Sequence, residues 1–181
     1  MASLRGQLLI AGATLPDPNF ARTVVLICQH SDEGALGLVL NRVGDLLVDD
    51  AAPELAELSG DHATIDEGGP VRPDALLVLA EFEDPSFAAV PVIGNVGLMG
   101  DGNTVEDLIG LTRRARVFAG YAGWGPGQLD AELESDDWFV APAGIDDIFH
   151  TDAGELWRRV LARKGGHFAV VARMPVDPSV N

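Results

Sequence analysis

The chain has 181 residues, 47% of them hydrophobic, and a formal net charge of -16. That length suits one hydrophobic core rather than two, and the apolar fraction excludes disordered and collagen-like classes. A strongly negative chain repels polyanions, so direct DNA or RNA binding is not expected, and no apolar run approaches the ~20 residues of a membrane span. Cys28 is the single cysteine and cannot form an internal disulfide. With no secretory leader pattern at the N-terminus, this points to a reducing, cytoplasmic setting.

Taken in chain order, the first third reads as strands. Gly6–Ala11 is short and apolar. Pro16-Asp17-Pro18 forms a rigid turn, because proline fixes φ. Arg22–Gln29 is apolar on both faces and is expected as a central, doubly covered strand. The polar turn Ser31-Asp32-Glu33-Gly34 leads into a strand over Ala35–Asn41, and so short a connection makes the two antiparallel. Pro53–Leu58 reads as a short helix with proline in its first turn. Leu76–Phe82 is another strand, and no element is predicted between it and Thr104.

Thr104 caps a helix in which Val105, Leu108 and Ile109 share one face. Arg116–Ala119 reads as a strand that enters a glycine-rich turn, and a helix follows from about Pro126. Asp152 and Glu155 open the clearest helix, with Leu156, Trp157, Val160 and Leu161 as its inward stripe. Arg163 and Lys164 suit its negative end, and Gly165-Gly166 stops it. His167–Arg173 is predicted as a closing strand. Early hairpins without regular βαβ alternation give the fold class α+β, as one domain over residues 1–181.

Chemistry is harder to find. Cys28 and His30 lie two apart in a strand, which separates their Cα atoms by roughly 6.5 Å with parallel side chains. That is poor geometry for a thiol and its base, so Cys28 reads as a buried structural thiol. The histidines at 30, 62, 150 and 167 show no ligand spacing, no second cysteine exists, and no serine sits in a nucleophile elbow. No catalytic residue, metal site or cofactor is therefore predicted. The basic groups Arg113, Arg114, Arg116 and Arg158, Arg159, Arg163, Lys164 read as solvated faces, a local basic surface being the alternative. The acidic stretch from Asp45 to Asp84 reads as a hydrated loop face.

Two glycine-rich segments stand out. Glu67-Gly68-Gly69-Pro70-Val71 permits unusual dihedrals or close backbone approach. Gly120-Tyr121-Ala122-Gly123-Trp124-Gly125-Pro126-Gly127-Gln128-Leu129 lies where exposed N–H groups could hold an anion, yet it matches no nucleotide fingerprint. Asp130 and Glu132 would oppose a phosphate there, which favours a structural elbow.

Together these segments resemble the AlgH/YqgE family of bacterial proteins. The matching blocks run in order from Gly6–Ala11 and Asp17-Pro18-Asn19-Phe20 with Arg22–Val25, through Gly34–Arg42, Gly68–Val71 and Gly120–Leu129, to Trp138, Ile148-Phe149 and Trp157. The sequence departs from the pattern at Val43, where a proline commonly follows the Asn-Arg pair. The resemblance implies an α+β domain with a largely antiparallel, barrel-like sheet and flanking helices. It brings no catalytic residues, and the transcriptional-regulator label of some members rests on no DNA-binding motif. Two functional expectations follow. The first is a non-catalytic binding or regulatory module acting through a protein partner. The second is a small-molecule site, of a binding protein or an enzyme, built from Asn41, Arg42, Gly68, Gly69, Tyr121, Trp124 and Gln128, with satisfaction of turn backbone as the plainer role of Asn41 and Gln128.

Overall fold

In the computed structural model, nine strands among the described residues form one sheet whose order is set largely by short connections. The structure describes residues 2–13, 15 and 17–174, so Pro16 of the predicted turn lies outside the described residues. β1 (Gln7–Ala11), β2 (Val24–Ser31) and β3 (Gly34–Val39) make an antiparallel meander. Val24, Leu26 and Cys28 face one core while Val25 and Ile27 face another, which is the double coverage read from the sequence. The register between β2 and β3 shifts after Ile27, and Cys28 is the extra residue of that bulge.

The remaining strands are β4 (Ile65–Glu67), β5 (Val71–Phe82), β6 (Val90–Ile93), β7 (Val96–Leu98), β8 (Thr112–Trp124) and β9 (Trp138–Pro142). The order is β6-β7-β5-β8-β3-β2-β1-β9, with β4 alongside β8. Every pairing is antiparallel except β4 with β8. The sheet does not close into a barrel: β6 and β9 are its ends. It curls, so Val92, Val96 and Leu98 from one end share a core with Leu8 and Ile10 near the other.

Among the described residues seven helices cover the faces: α1 (Val48–Ala51), α2 (Ala56–Ser59), α3 (Val105–Leu108), α4 (Gln128–Glu134), α5 (Ile145–Ile148), α6 (Ala153–Lys164) and α7 (His167–Val171). The turn Pro53–Leu55 before α2 is 3-10, so the predicted helix over Pro53–Leu58 is split. Thr104 caps α3 by accepting the Asp107 N–H, and Asp152 caps α6 by accepting the Glu155 N–H. Leu156, Trp157, Val160 and Leu161 are buried against β1 and β2. Among the described residues no helix is long and apolar enough to cross a membrane.

Two predicted elements differ. His167–Val171 is helical, not a strand. The outer edge of β9, where it would have paired, is occupied: Lys164 Nζ donates to Val140 O at 2.7 Å and Arg163 to Pro142 O at 3.3 Å. Phe168 instead packs edge-on against Phe139 with centroids 4.8 Å apart. The predicted turn at Gly120 is the interior of β8, which runs on to Trp124, and α4 begins only at Gln128. Glycine there serves close backbone approach: a Cβ on Gly69 (φ +152°) would strike the Tyr121 backbone, and one on Gly120 (φ +69°) the Gly69 carbonyl.

Candidate functional site

Backbone hydrogen bonds bring the predicted segments side by side. Val39 N–H donates to Gly68 O, Gly68 N–H to Ala119 O and Glu67 N–H to Arg42 O, each at 2.9 Å. Their side chains, however, do not converge. Asn41 is fully engaged by backbone: its Oδ1 accepts from Val24 N–H and its Nδ2 donates to Arg22 O, both at 2.9 Å. Arg42 donates to the Pro18 carbonyl at 2.9 Å. Gln128 accepts from Gly125 N–H at 3.0 Å and donates to Glu132 Oε1 at 2.9 Å.

Trp124 is buried, and Glu132 is the acid that organises its neighbourhood. Its Oε2 accepts the indole N–H of both Trp124 and Trp138 at 2.9 Å. Phe20 stacks on Trp124 and meets Trp138 edge-on. Tyr121 and Trp124 line a cavity of about 1090 Å³ between the β2–β3 hairpin and β6, together with Arg5, Gln29 and His30. Arg42 and Gly69 line a second cavity of about 420 Å³, and Asn41 and Arg42 a third of about 280 Å³. Gln128 lines none of these three.

Cys28 is fully buried, and burial pushes its thiol up to about 12, far from a nucleophile's range. His30 is engaged through Nδ1, which accepts the Leu4 N–H at 3.0 Å. Among the described residues no group of three His, Cys, Asp or Glu side chains is placed to hold a metal.

The structure places one constellation that the sequence reading missed. Arg116 is not part of a solvated face and Asp66 is not on a hydrated loop: both are buried and paired at 2.7 Å. Arg116 reaches Asp66 Oδ2 through Nε and one terminal nitrogen, and also donates to Leu40 O at 2.8 Å and Ile148 O at 2.7 Å. His150 Nε2 sits 3.1 Å from the same Leu40 oxygen, and its buried Nδ1 has no hydrogen-bond partner among the described residues. Burial, then the nearby Arg116 charge, pulls His150 down to about 4, and the same causes lower His62. The signal for Arg116 was its phase. In β8 it alternates with Ala115 and Val117 and shares a face with Phe118, so both faces of that strand are core.

The second cavity has a distinct character. One wall is the loop over 42–47 and the other is a protrusion of β5, where four residues, Arg72 to Ala75, stand opposite Gly120 alone. Ile65, Glu67 and Ala119 line it between these walls. Val43, Leu46 and Leu47 are exposed by 56%, 61% and 46% on the first wall.

The comparisons agree on the family. The profile of the AlgH-like family matches residues 8–169. A UPF0301 protein of Thermobifida fusca is 42% identical, over 99% of this chain and 96% of its own, and one of Chlorobaculum tepidum is 37% identical over 97% and 95%. Among solved structures, a protein of Corynebacterium diphtheriae superposes with a TM-score of 0.87 at 26% identity, covering 96% of this chain and 93% of its own. The AlgH protein of Pseudomonas aeruginosa superposes with a TM-score of 0.72 at 29% identity, covering 96% and 95%. With matching blocks along the whole chain and the same fold in both solved relatives, the chain belongs to the AlgH-like family.

Proposed function

We propose that the protein is a non-catalytic, cytosolic binding module with a regulatory role, acting through a protein partner. The observation that carries this reading is the outward display of Val43, Leu46 and Leu47 beside an open cavity, since exposed apolar patches mark interaction surfaces. The polar groups are arranged in keeping with it. Asn41, Gln128 and Glu132 hold turns and indoles in place, and Arg116 with Asp66 holds the core. Much of the positive charge is paired internally as well, Arg113 with Glu83, Arg114 with Glu81, Arg158 with Glu155 and Arg163 with Asp147. A polyanion would meet an acidic surface with little free basic charge.

The test is a photo-cross-linking side chain at Leu47, irradiated in cells producing the full chain. A discrete protein adduct is expected. Recovery of the chain without adducts, or tight and salt-sensitive DNA binding by the purified chain, overturns the reading.

A second reading keeps a small-molecule site, favoured by the placement of Tyr121 and Trp124 together on the 1090 Å³ cavity. Its signature is thermal stabilisation by a member of a metabolite, nucleotide and metal panel, abolished in Tyr121→Ala. Gln128→Ala is a control for stability, because Gln128 faces Gly125 and Glu132 rather than this cavity.

A further inference from the structure

The geometry points to one occupant for the 420 Å³ cavity and its surround: a basic amphipathic segment of a protein partner. The inference rests on the protein-partner reading and names the chemistry of that partner. Four of the six large apolar side chains exposed among the described residues are Val43, Leu46, Leu47 and Leu76. Leu46 lines the cavity, and Val43 and Leu47 flank it on the same loop. Leu76 lies directly across the ladder from Ala119, another lining residue, so the two point to one side of the sheet. That side also carries Ile65 and Glu67, because β4 pairs in register with Val117 and Ala119. The result is a recess whose apolar lining (Val39, Leu46, Ile65, Pro73 and Ala119) is edged by charged side chains and flanked by the exposed Leu46 and Leu76, suited to an aliphatic or aromatic anchor.

Charge selects the rest of the partner. Between residues 42 and 76 the chain carries nine acidic side chains and two arginines. Of the acids, Asp66 is consumed in the buried pair with Arg116. Asp45 and Glu67 line the cavity, Asp49 and Asp50 follow on α1, and Asp74 tops the β5 protrusion, and none of these five forms an ion pair among the described residues. Arg42, which lines the cavity, is turned to the Pro18 carbonyl, and Arg72 on the exposed β5 protrusion is the other arginine of this stretch, so these acids outnumber the cations around the recess. Unpaired carboxylates around an apolar recess favour Lys or Arg flanking an apolar anchor, and they repel phosphates, whether of nucleic acid or of lipid headgroups. An amphipathic segment with cations beside its apolar face meets both demands.

The experiment titrates the purified full chain with a labelled synthetic peptide of Leu and Lys at helical spacing. A peptide of Lys and Ser with equal charge and one of Leu and Glu serve as controls. The Leu/Lys peptide is expected to bind, with amide shifts centred on Leu46, Glu67 and Leu76. Affinity should fall at least about tenfold in Leu46→Asp and in the charge reversal Glu67→Lys, fall with added salt, and remain unchanged in Tyr121→Ala at the larger cavity. Leu46→Ser is the milder second variant, and melting curves confirm that each variant is folded. Equal binding of the Lys/Ser peptide, affinity unchanged by both Leu46 variants, shifts centred elsewhere, or no binding overturns the inference. If the peptide fails while the Leu47 cross-linker still captures a protein, the partner reading stands and only its basic amphipathic chemistry falls; if both fail, both fall.

Discussion

At the scale of single residues, the group with most at stake is Arg116. Its guanidinium is buried, and its four hydrogen bonds tie β8 to Asp66 on β4, to Leu40 after β3 and to Ile148 at the end of α5. Removing one member of a buried pair leaves an uncompensated charge, which costs about 3–5 kcal/mol, whereas removing both can be nearly neutral. Arg116→Met should therefore destabilise by that amount in urea unfolding, and Asp66→Asn with Arg116→Met should recover a large part of the loss. A double variant no more stable than the single one would refute this account. His150, beside the same pair, gives a pH dependence. Its folded-state pKa of about 4 lies below the 6.5 of an ordinary histidine, so the unfolded chain holds the proton more tightly. The contribution is full above about 6.5 and is lost as pH falls toward 4. Asp147 is also perturbed. Burial would raise it, but the Arg163 hydrogen bonds hold it below 3.8, so its contribution is lost only at still lower pH. The melting temperature should fall between pH 6.5 and 4, and His150→Gln should flatten that fall; parallel curves for the two proteins would exclude His150 as its source. The phase of Arg116 in its strand hinted at burial, but the partners of Arg116 and His150 were not legible in the sequence, because they appear only once residues 40, 66, 116 and 150 are brought together.

At the scale of elements, local signals succeeded where one segment determines its own structure. The β2–β3 hairpin, the Thr104 and Asp152 caps and the buried stripe of α6 each follow from a few adjacent residues. They failed where a distant element decides. The run His167–Val171 is apolar enough for a strand, but the β9 edge was already closed by Lys164 and Arg163, so it coiled into a helix. The strands β4, β6 and β7 have three or four residues each and are held by pairing rather than pattern. The candidate segments lie side by side in the backbone, yet the direction of each side chain depends on partners beyond the segment. Glu132 shows this best. It lies on α4 and binds the indoles of β8 and β9 at once, with Gln128 on its other oxygen. A neutral amide at that position sets its NH₂ against N–H donors. Glu132→Gln should thus lose roughly 1–3 kcal/mol and change the near-UV circular dichroism of Trp124 and Trp138. Unchanged stability and spectrum would mean that aromatic packing alone holds these elements.

At the scale of the whole molecule, the net charge of -16 is both a burden on stability and the strongest constraint on function. Self-repulsion opposes the compact state, and it is screened as the Debye length shrinks from about 30 Å at 0.01 M salt to about 8 Å at 0.15 M. The repulsion is uneven, because the carboxylates between 42 and 76 far outnumber the nearby arginines and, apart from Asp66, form no ion pair among the described residues. Asp45 on one wall of the smaller cavity and Asp74 on the other are exposed and contribute no hydrogen bond to the fold among the described residues. If their role is to meet a cationic partner, the free protein bears their repulsion without compensation. Asp45→Asn with Asp74→Asn should then raise the melting temperature by about 1–2 °C at low salt, with the gain vanishing at high salt. The same pair of substitutions should weaken the basic amphipathic peptide. A lower melting temperature in the variant would instead make these carboxylates structural, and the docking surface would lose the charge argument that chose its partner.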